Sequence, residues 1–191
     1  MLKIGVQIAP RFERLGEFLA DVRALDAAGA DTLWLLGDEE PWLVLAATAA
    51  VTGRIRLVLP APAAMADAPA TTARRLATLQ RLARQRVVVC APLAGTLPDE
   101  VTALASGIVQ VTDAPAARSR APTQQPPARA PIEVWTPIEL SADRPGWRRA
   151  LHDCEQAGAD GVIVRHDHRL LDLLRNPDQD DDRSDLQLAQ G

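Results

Sequence analysis

The tetrapeptide Ala-Gly-Ala-Asp occurs twice, at Ala28 to Asp31 and at Ala157 to Asp160. Each copy follows an apolar-periodic run and precedes a short, almost wholly apolar one, Thr32-Leu33-Trp34-Leu35-Leu36 in the first case and Gly161-Val162-Ile163-Val164-Arg165 in the second. A glycine just past a helical stripe takes the left-handed C-terminal position that other residues avoid. A short apolar run without alternation reads as a strand buried on both faces, which is the environment of a parallel sheet. Two copies of one helix-to-strand joint therefore confine the chain to a parallel βα architecture. They do not name a substrate.

The rest of the chain follows the same alternation. Lys3 to Ala9 reads as a first strand closed by Pro10, and Leu15, Phe18, Leu19, Val22 and Leu25 form the stripe of a helix lying on the sheet. Asp38-Glu39-Glu40 before Pro41 is a helix start, and that helix runs to about Thr52-Gly53. Arg54 to Pro60 gives a third strand. Pro69 opens a helix with Leu76, Leu79, Leu82 and Ala83 facing inward, and Val87 to Cys90 is a β-branched fourth strand. Asp99 to Ser106 reads as a short helix and Ile108 to Val111 as a short strand. Order resumes with a strand at Ile132 to Pro137, a helix carrying Trp147, Ala150, Leu151, Cys154 and Ala157, the strand Gly161 to Arg165, and a closing helix over Leu170 to Leu174. Alternation with short links predicts parallel pairing and right-handed crossovers.

Two segments stand apart. Thr112 to Pro131 holds five prolines and no apolar period, and is expected to be an extended excursion. From Asn176 the chain is a polar tail with five Asp and one Arg, which accounts for the whole formal charge of -4 and leaves residues 1–175 near neutral. A basic nucleic-acid footprint is absent. No segment reaches the ~20 apolar residues of a membrane span, and the N-terminus reads as a strand rather than a secretion signal, so a cytoplasmic protein is expected. Cys90 and Cys154 are isolated thiols without metal-ligand spacing, and neither a disulfide framework nor a zinc site is expected. The 191 residues suffice for one core, here placed at 1–175.

Several strings, in this order, resemble the luciferase-like (bacterial luciferase-type) family of flavin- or deazaflavin-dependent oxidoreductases. They are K-I-G-V-Q from Lys3, A-G-A-D-T-L-W-L-L-G-D from Ala28, A-A-T-A-A-V-T-G-R-I-R-L-V up to Val58, the passage Ala68 to Val89, and W-R-R-A-L-H-D-C-E-Q-A-G-A-D-G-V-I-V from Trp147. The resemblance covers residues 1–90 and 132–167 and implies a TIM barrel. It departs from the family in three places. Asp38-Glu39 stands where Asp-His is common, Cys90-Ala91-Pro92 where a Gly-x-Gly segment is common, and the region around Val111 to Pro131 is too short to hold the family's usual cofactor-phosphate contacts.

In a βα barrel, ligands meet the C-terminal strand ends, which the strand assignments place at Gln7 and Ala9, Gly37 to Glu39, Leu59-Pro60, Cys90-Ala91, Trp135-Thr136 and Arg165-His166. Asp38 and Glu39 either contact a cofactor or simply start the following helix. Cys90 is either a reactive thiol or an inert buried residue. Trp135 either stacks on a planar ring at the mouth or packs, and His166 with His168, flanking Asp167, is either a catalytic base or metal site or a solvated pair at a helix start. The candidate cofactor contacts are thus Asp38, Glu39, Cys90, Trp135, Arg165 and His166, with no catalytic residue or metal ligand singled out.

The fold expected is α/β, a TIM-barrel-derived parallel βα sheet forming an incomplete or shortened barrel, since a full eight-stranded barrel takes about 250 residues. An incomplete barrel exposes strand edges, for which dimerisation is the simplest cover, either with a second copy or with a longer relative. The resemblance implies an oxidoreductase using reduced FMN or a deazaflavin on an unnamed small-molecule substrate. The alternative is a non-catalytic relative that kept the scaffold and serves as a binding or partner subunit.

Overall fold

The strands carry apolar side chains on both faces because both faces are covered, one by helices and one by the strands opposite. In the computed structural model, which describes residues 2–37, 40–92, 96–112 and 132–176, these are β1 (Lys3–Ile8), β2 (Thr32–Leu35), β3 (Arg56–Leu59), β4 (Val87–Cys90), β5 (Ile108–Val111), β6 (Ile132–Pro137) and β7 (Gly161–Arg165). Every strand pairs in parallel with the next, and β7 pairs back onto β1, so the sheet is a closed barrel. The barrel is shortened but not incomplete. No strand edge is left open among the described residues, so edge-covering gives no reason for a second subunit.

Closure with seven strands is possible because the stagger is large. From Val6 the pairing runs through Leu33 and Leu57 to Val87. It then climbs two residues to Val89, crosses by Ile108 to Ile132, climbs three to Trp135, and crosses by Gly161 to Lys3, three residues below its start. Those offsets amount to a shear of eight, the value of an eight-stranded TIM barrel on one strand fewer. At equal shear, fewer strands make a narrower barrel.

The helices are α1 (Leu15–Ala28), α2 (Pro41–Val51), α3 (Ala61–Met65), α4 (Pro69–Leu82), α5 (Asp99–Leu104), α6 (Arg144–Gln156) and α7 (His168–Arg175). Their apolar stripes, with Phe18, Val22, Leu25, Leu45, Leu76, Leu79 and Leu170, meet the outward strand residues Val6, Ile8, Leu33, Leu57, Val87, Val89, Val162 and Val164 in one continuous core. Leu82 is a correction. It is 56% exposed, because the inward stripe of α4 runs through Leu76, Leu79 and Ala83, and a residue three past Leu79 is turned away from Leu76 on a 3.6-residue helix. With Leu43 it forms apolar surface on the outer side of α2 and α4. Helix α3 follows β3 at once, with Pro62 in its first turn, and nothing in the apolar pattern announces it.

The two joints are built alike. Gly29 and Gly158 have φ of +92° and +86°. Gly29 N donates to Asp26 O and Ala30 N to Leu25 O, and Gly158 N and Ala159 N donate at the same spacing to Glu155 O and Cys154 O. Each joint then hands its aspartate to the neighbouring strand. The Asp31 amide donates to Ile4 O (2.8 Å) and its carboxylate accepts from Ile4 N (2.8 Å). Asp160 makes the same pair with Val134, both at 2.8 Å. The tetrapeptide thus satisfies a helix end and pins the next strand's register in four residues.

A second clamp fixes the turn from α2 into β3. Asp26 accepts from the amides of Gly53, Arg54 and Ile55, while the buried Arg86 donates to the carbonyls of Ala49, Thr52 and Ile55. Burial pushes the Asp26 carboxyl up, but the three amides and the Arg86 charge more than reverse this and hold it below its ordinary value. Arg144 ties the start of α6 to Asp172 and the Asn176 carbonyl at the end of α7. No described helix is long and apolar enough to cross a membrane. The excursion expected at Thr112 to Pro131 and the acidic tail fall almost wholly outside the described residues.

Candidate functional site

Alternation assigns the inner face of the barrel. Val58, Val88, Val109, Ile163, Trp34 and Trp135 form the interior cluster, so Lys3, Gly5 and Gln7 on β1, Arg56 on β3, Glu133 on β6, and Gly161 and Arg165 on β7 share that face. Two indoles fill the middle. Trp135 is fully buried and meets Trp34 edge to face, with ring centroids 5.8 Å apart. The space comes from glycines. A Cβ on Gly161 would lie 2.5 Å from the Trp135 ring, and one on Gly5 2.6 Å from Trp34 Nε1.

The N-terminal end is sealed by charge. Glu133 accepts from Lys3 Nζ at 2.6 Å and from both terminal nitrogens of Arg56 at 2.9 Å, and Trp135 Nε1 donates to it at 3.1 Å. The Arg56 guanidinium also sits 6.0 Å from the Trp135 ring centroid. Burial alone pushes the Glu133 carboxyl up, but the hydrogen bonds and charges of Arg56 and Lys3 outweigh it and bring it down to about 2. Four partners on one carboxylate leave this end no capacity for a ligand.

The C-terminal end is open. Gln7, Trp34, Val58, Cys90 and Val111 line a cavity of about 350 Å³ there, rimmed by Pro60, Pro62 and Pro92. A lateral cleft of about 540 Å³ shares Leu35, Pro60 and Pro62 with it and extends past Gly37 to Trp42. The pocket floor is Trp34, whose Nε1 is held by Thr32 Oγ1 at 2.8 Å. Burial pushes the Cys90 thiol up, and the Ala61 amide only partly counters this. A thiol pushed in that direction stays protonated at neutral pH, which disfavours Cys90 as a nucleophile. Among the described residues, the lining holds no carboxylate and no imidazole.

The expected contacts distribute as follows. Cys90 lines the pocket. Arg165 is exposed on the inner face at the rim, paired in register with Gln7. His166 donates its backbone amide to Gln7 O at 2.7 Å, and its Nε2 is buried without a partner among the described residues. Trp135 is a correction: β6 runs on to Pro137, so the indole points into the sealed half of the barrel instead of lying at the mouth, where no ring can reach it. Trp34 takes the mouth position instead. The two-residue alternation from Thr32 carries that signal, hidden by the apolar residues between. Asp38 and Glu39 lie outside the described residues. Glu40, which follows them, occupies the N-cap of α2 without a side-chain hydrogen bond, and Pro41 takes the first helical position.

Residues 2–91 match the model of the luciferase-like monooxygenase family, which establishes the family resemblance over just under half of the chain. No curated protein matches. Among solved structures, the chain is similar to the oxygenating constituent of 3,6-diketocamphane monooxygenase from the CAM plasmid of Pseudomonas putida, a type II Baeyer-Villiger monooxygenase in complex with FMN. That similarity has 13% identity and a TM-score of 0.51, and covers 85% of this chain and 66% of that one. Two others fall lower. The coenzyme F420-dependent tetrahydromethanopterin reductase of Methanopyrus kandleri has 12% identity and a TM-score of 0.46, covering 86% of this chain and 65% of that one. Tryptophan synthase from M. tuberculosis has 14% identity and a TM-score of 0.47, covering 86% and 82%. The chain spans just under two thirds of the first of these structures. At such identities the likeness concerns the barrel alone.

Proposed function

We infer, from the luciferase-like monooxygenase signature over residues 2–91 and the pocket those residues build, that this protein holds a reduced flavin or deazaflavin ring at the barrel mouth and works as an oxidoreductase of that type. One observation carries the reading. Nine of the eleven residues lining the mouth cavity lie within the matched segment, so the part of the chain that resembles the family is the part that forms the pocket. Its size lies within the range of small-molecule sites, at the lower end.

The residues present fit a planar, amphipathic ring. Trp34 offers an indole as floor, Val58 and Val111 supply apolar walls, and the Gln7 amide, which has no partner among the described residues, is free to bond a polar ring edge. The rim prolines keep water from the ring faces without adding backbone donors. A bound reduced flavin would supply the hydride or the electrons for oxygen activation, and the pocket's part is to orient the ring and exclude water.

A second reading has its own support. Among the described residues, the cavity lining contains no group that titrates near neutrality, since its thiol is pushed upward by burial. A pocket of this kind binds a ring without moving a proton, which suits a non-catalytic relative acting as a binding or partner subunit. Titration with FMN, riboflavin and a deazaflavin, followed by tryptophan fluorescence, tests the ring site, and micromolar quenching is expected. No response to any of them removes the flavin reading, while the partner reading is tested by size-exclusion mass, alone or with a co-expressed longer relative, and a stable monomer in both would overturn it. Oxygen consumption with reduced FMN then separates enzyme from binder.

A further inference from the structure

We propose that the β1–β7 seam of the mouth is an anion subsite, in which Arg165 is the counter-ion for a phosphate or carboxylate carried by the small molecule whose ring or apolar part lies over Trp34. The proposal rests on the reading of the mouth as a ligand site, and adds to it the charge of the ligand and the side from which it is held.

Four charged side chains stand on the inner face of the barrel. Lys3, Arg56 and Glu133 close on one another at the N-terminal end. Arg165, at the other end, has neither an ion pair nor a hydrogen bond from its side chain among the described residues, and the inner face is left with an excess of positive charge. A second nitrogen donor stands beside it. Gln7 is its direct partner in register and lines the mouth cavity, with a side-chain amide that has no partner among the described residues. The next residue, His166, ties the two strands through its backbone amide to Gln7 O. A guanidinium beside an amide matches the geometry of phosphate and carboxylate oxygens. The N-terminus of α7 contributes nothing here, because the Asp167 carboxylate already accepts from Arg169 N.

A ligand held at Arg165 and lying over Trp34 would span the opening from β7 toward β3. The seam therefore prefers FMN to uncharged riboflavin, and it accepts inorganic phosphate or a small carboxylate alone, weakly.

The test compares FMN, riboflavin, inorganic phosphate and acetate by calorimetry on the full chain and on Arg165→Met, with melting temperature as the folding control. FMN is expected to bind at least about tenfold more tightly than riboflavin, and Arg165→Met to abolish that difference while leaving riboflavin affinity unchanged. Phosphate stronger than acetate identifies a phosphate subsite, and the reverse a carboxylate subsite. If both flavins bind equally well and Arg165→Met changes neither, the anion subsite is wrong and the ring site stands. If phosphate or acetate binds through Arg165 but no flavin does, the subsite stands and the flavin reading falls. Binding of none of the four overturns the subsite.

Discussion

The two ends of the barrel are made by the same seven strands, yet one is saturated and the other is not. At the N-terminal end a single carboxylate has four donors around it, and an indole lies flat against a glycine. At the C-terminal end the Gln7 amide and the Arg165 guanidinium have no side-chain partners among the described residues, and Gln7 lines an open cavity. Stability is concentrated where every group is matched, and recognition is available only where some are not. The contrast predicts that substitutions at the base act on folding and those at the mouth on binding.

The largest effect is expected at Gly161. Gly161→Val would drive its side chain into the Trp135 ring, which is fully buried and cannot yield. A loss of about 3 kcal/mol or more is expected in urea unfolding, and a neutral result would show that the indole is not the fixed plug described.

Glu133→Gln comes next. It leaves Lys3 and Arg56 facing each other without a counter-charge, at a cost of about 2–3 kcal/mol, tempered by the 20% exposure of the Glu133 side chain. The carboxyl lies at about 2 in the fold against an ordinary 4.5. A depressed carboxyl gives stability that is fully present above its unfolded value and is lost as pH falls toward its folded one. Unfolding curves should therefore weaken between about pH 5 and pH 2, by about 3 kcal/mol from this group. Asp26, also depressed, adds to the decline. In Glu133→Gln the slope should become shallower, and an unchanged slope would assign the acid sensitivity elsewhere.

A smaller effect, of opposite sign, is expected at Gln85, just before β4 at the saturated end. Its φ is +62°, a left-handed backbone that a side chain makes unfavourable. Gln85→Gly should raise stability by about 1 kcal/mol, which thermal unfolding would register. The smallest change in folding belongs to the mouth. Arg165 is exposed and has no side-chain partner among the described residues, so in Arg165→Met the melting temperature should hold within about 0.5 kcal/mol of equivalent stability while the preference for FMN disappears.

Much of the fold was legible because its joints are local. A glycine after a helical stripe and an apolar run after an aspartate are four-residue events, and all seven strands lie within a residue or two of their sequence positions. Barrel closure was not legible, because it depends on the stagger summed around seven pairings, and no single strand carries that sum. The strand ends were legible, and they put Cys90 on the mouth cavity and Arg165 at the inner end of β7. Trp135 was misplaced because the mouth end of the strand was taken at Trp135-Thr136 although the strand runs to Pro137, and its indole is drawn to Glu133 at the base; Trp34 was overlooked because its strand is apolar on both faces and hides the alternation. Gln85 shows a third case: its sequence gives no sign of a left-handed turn, which the Arg84–Gln85 link adopts under the demands of Gln80 and β4.

Seven is an odd number, and that has a consequence for symmetry as well as for packing. No twofold axis can divide an odd-stranded cylinder into equal halves, so the paired Ala-Gly-Ala-Asp joints, which lead into β2 and β7, are not related by a symmetry of the barrel. Nor can neighbouring strands take turns at filling successive storeys all the way round, since one seam must break the rhythm. The two indoles and their facing glycines are cut to that irregular bore, and splicing an eighth strand into the ring would leave them rattling in a space too wide.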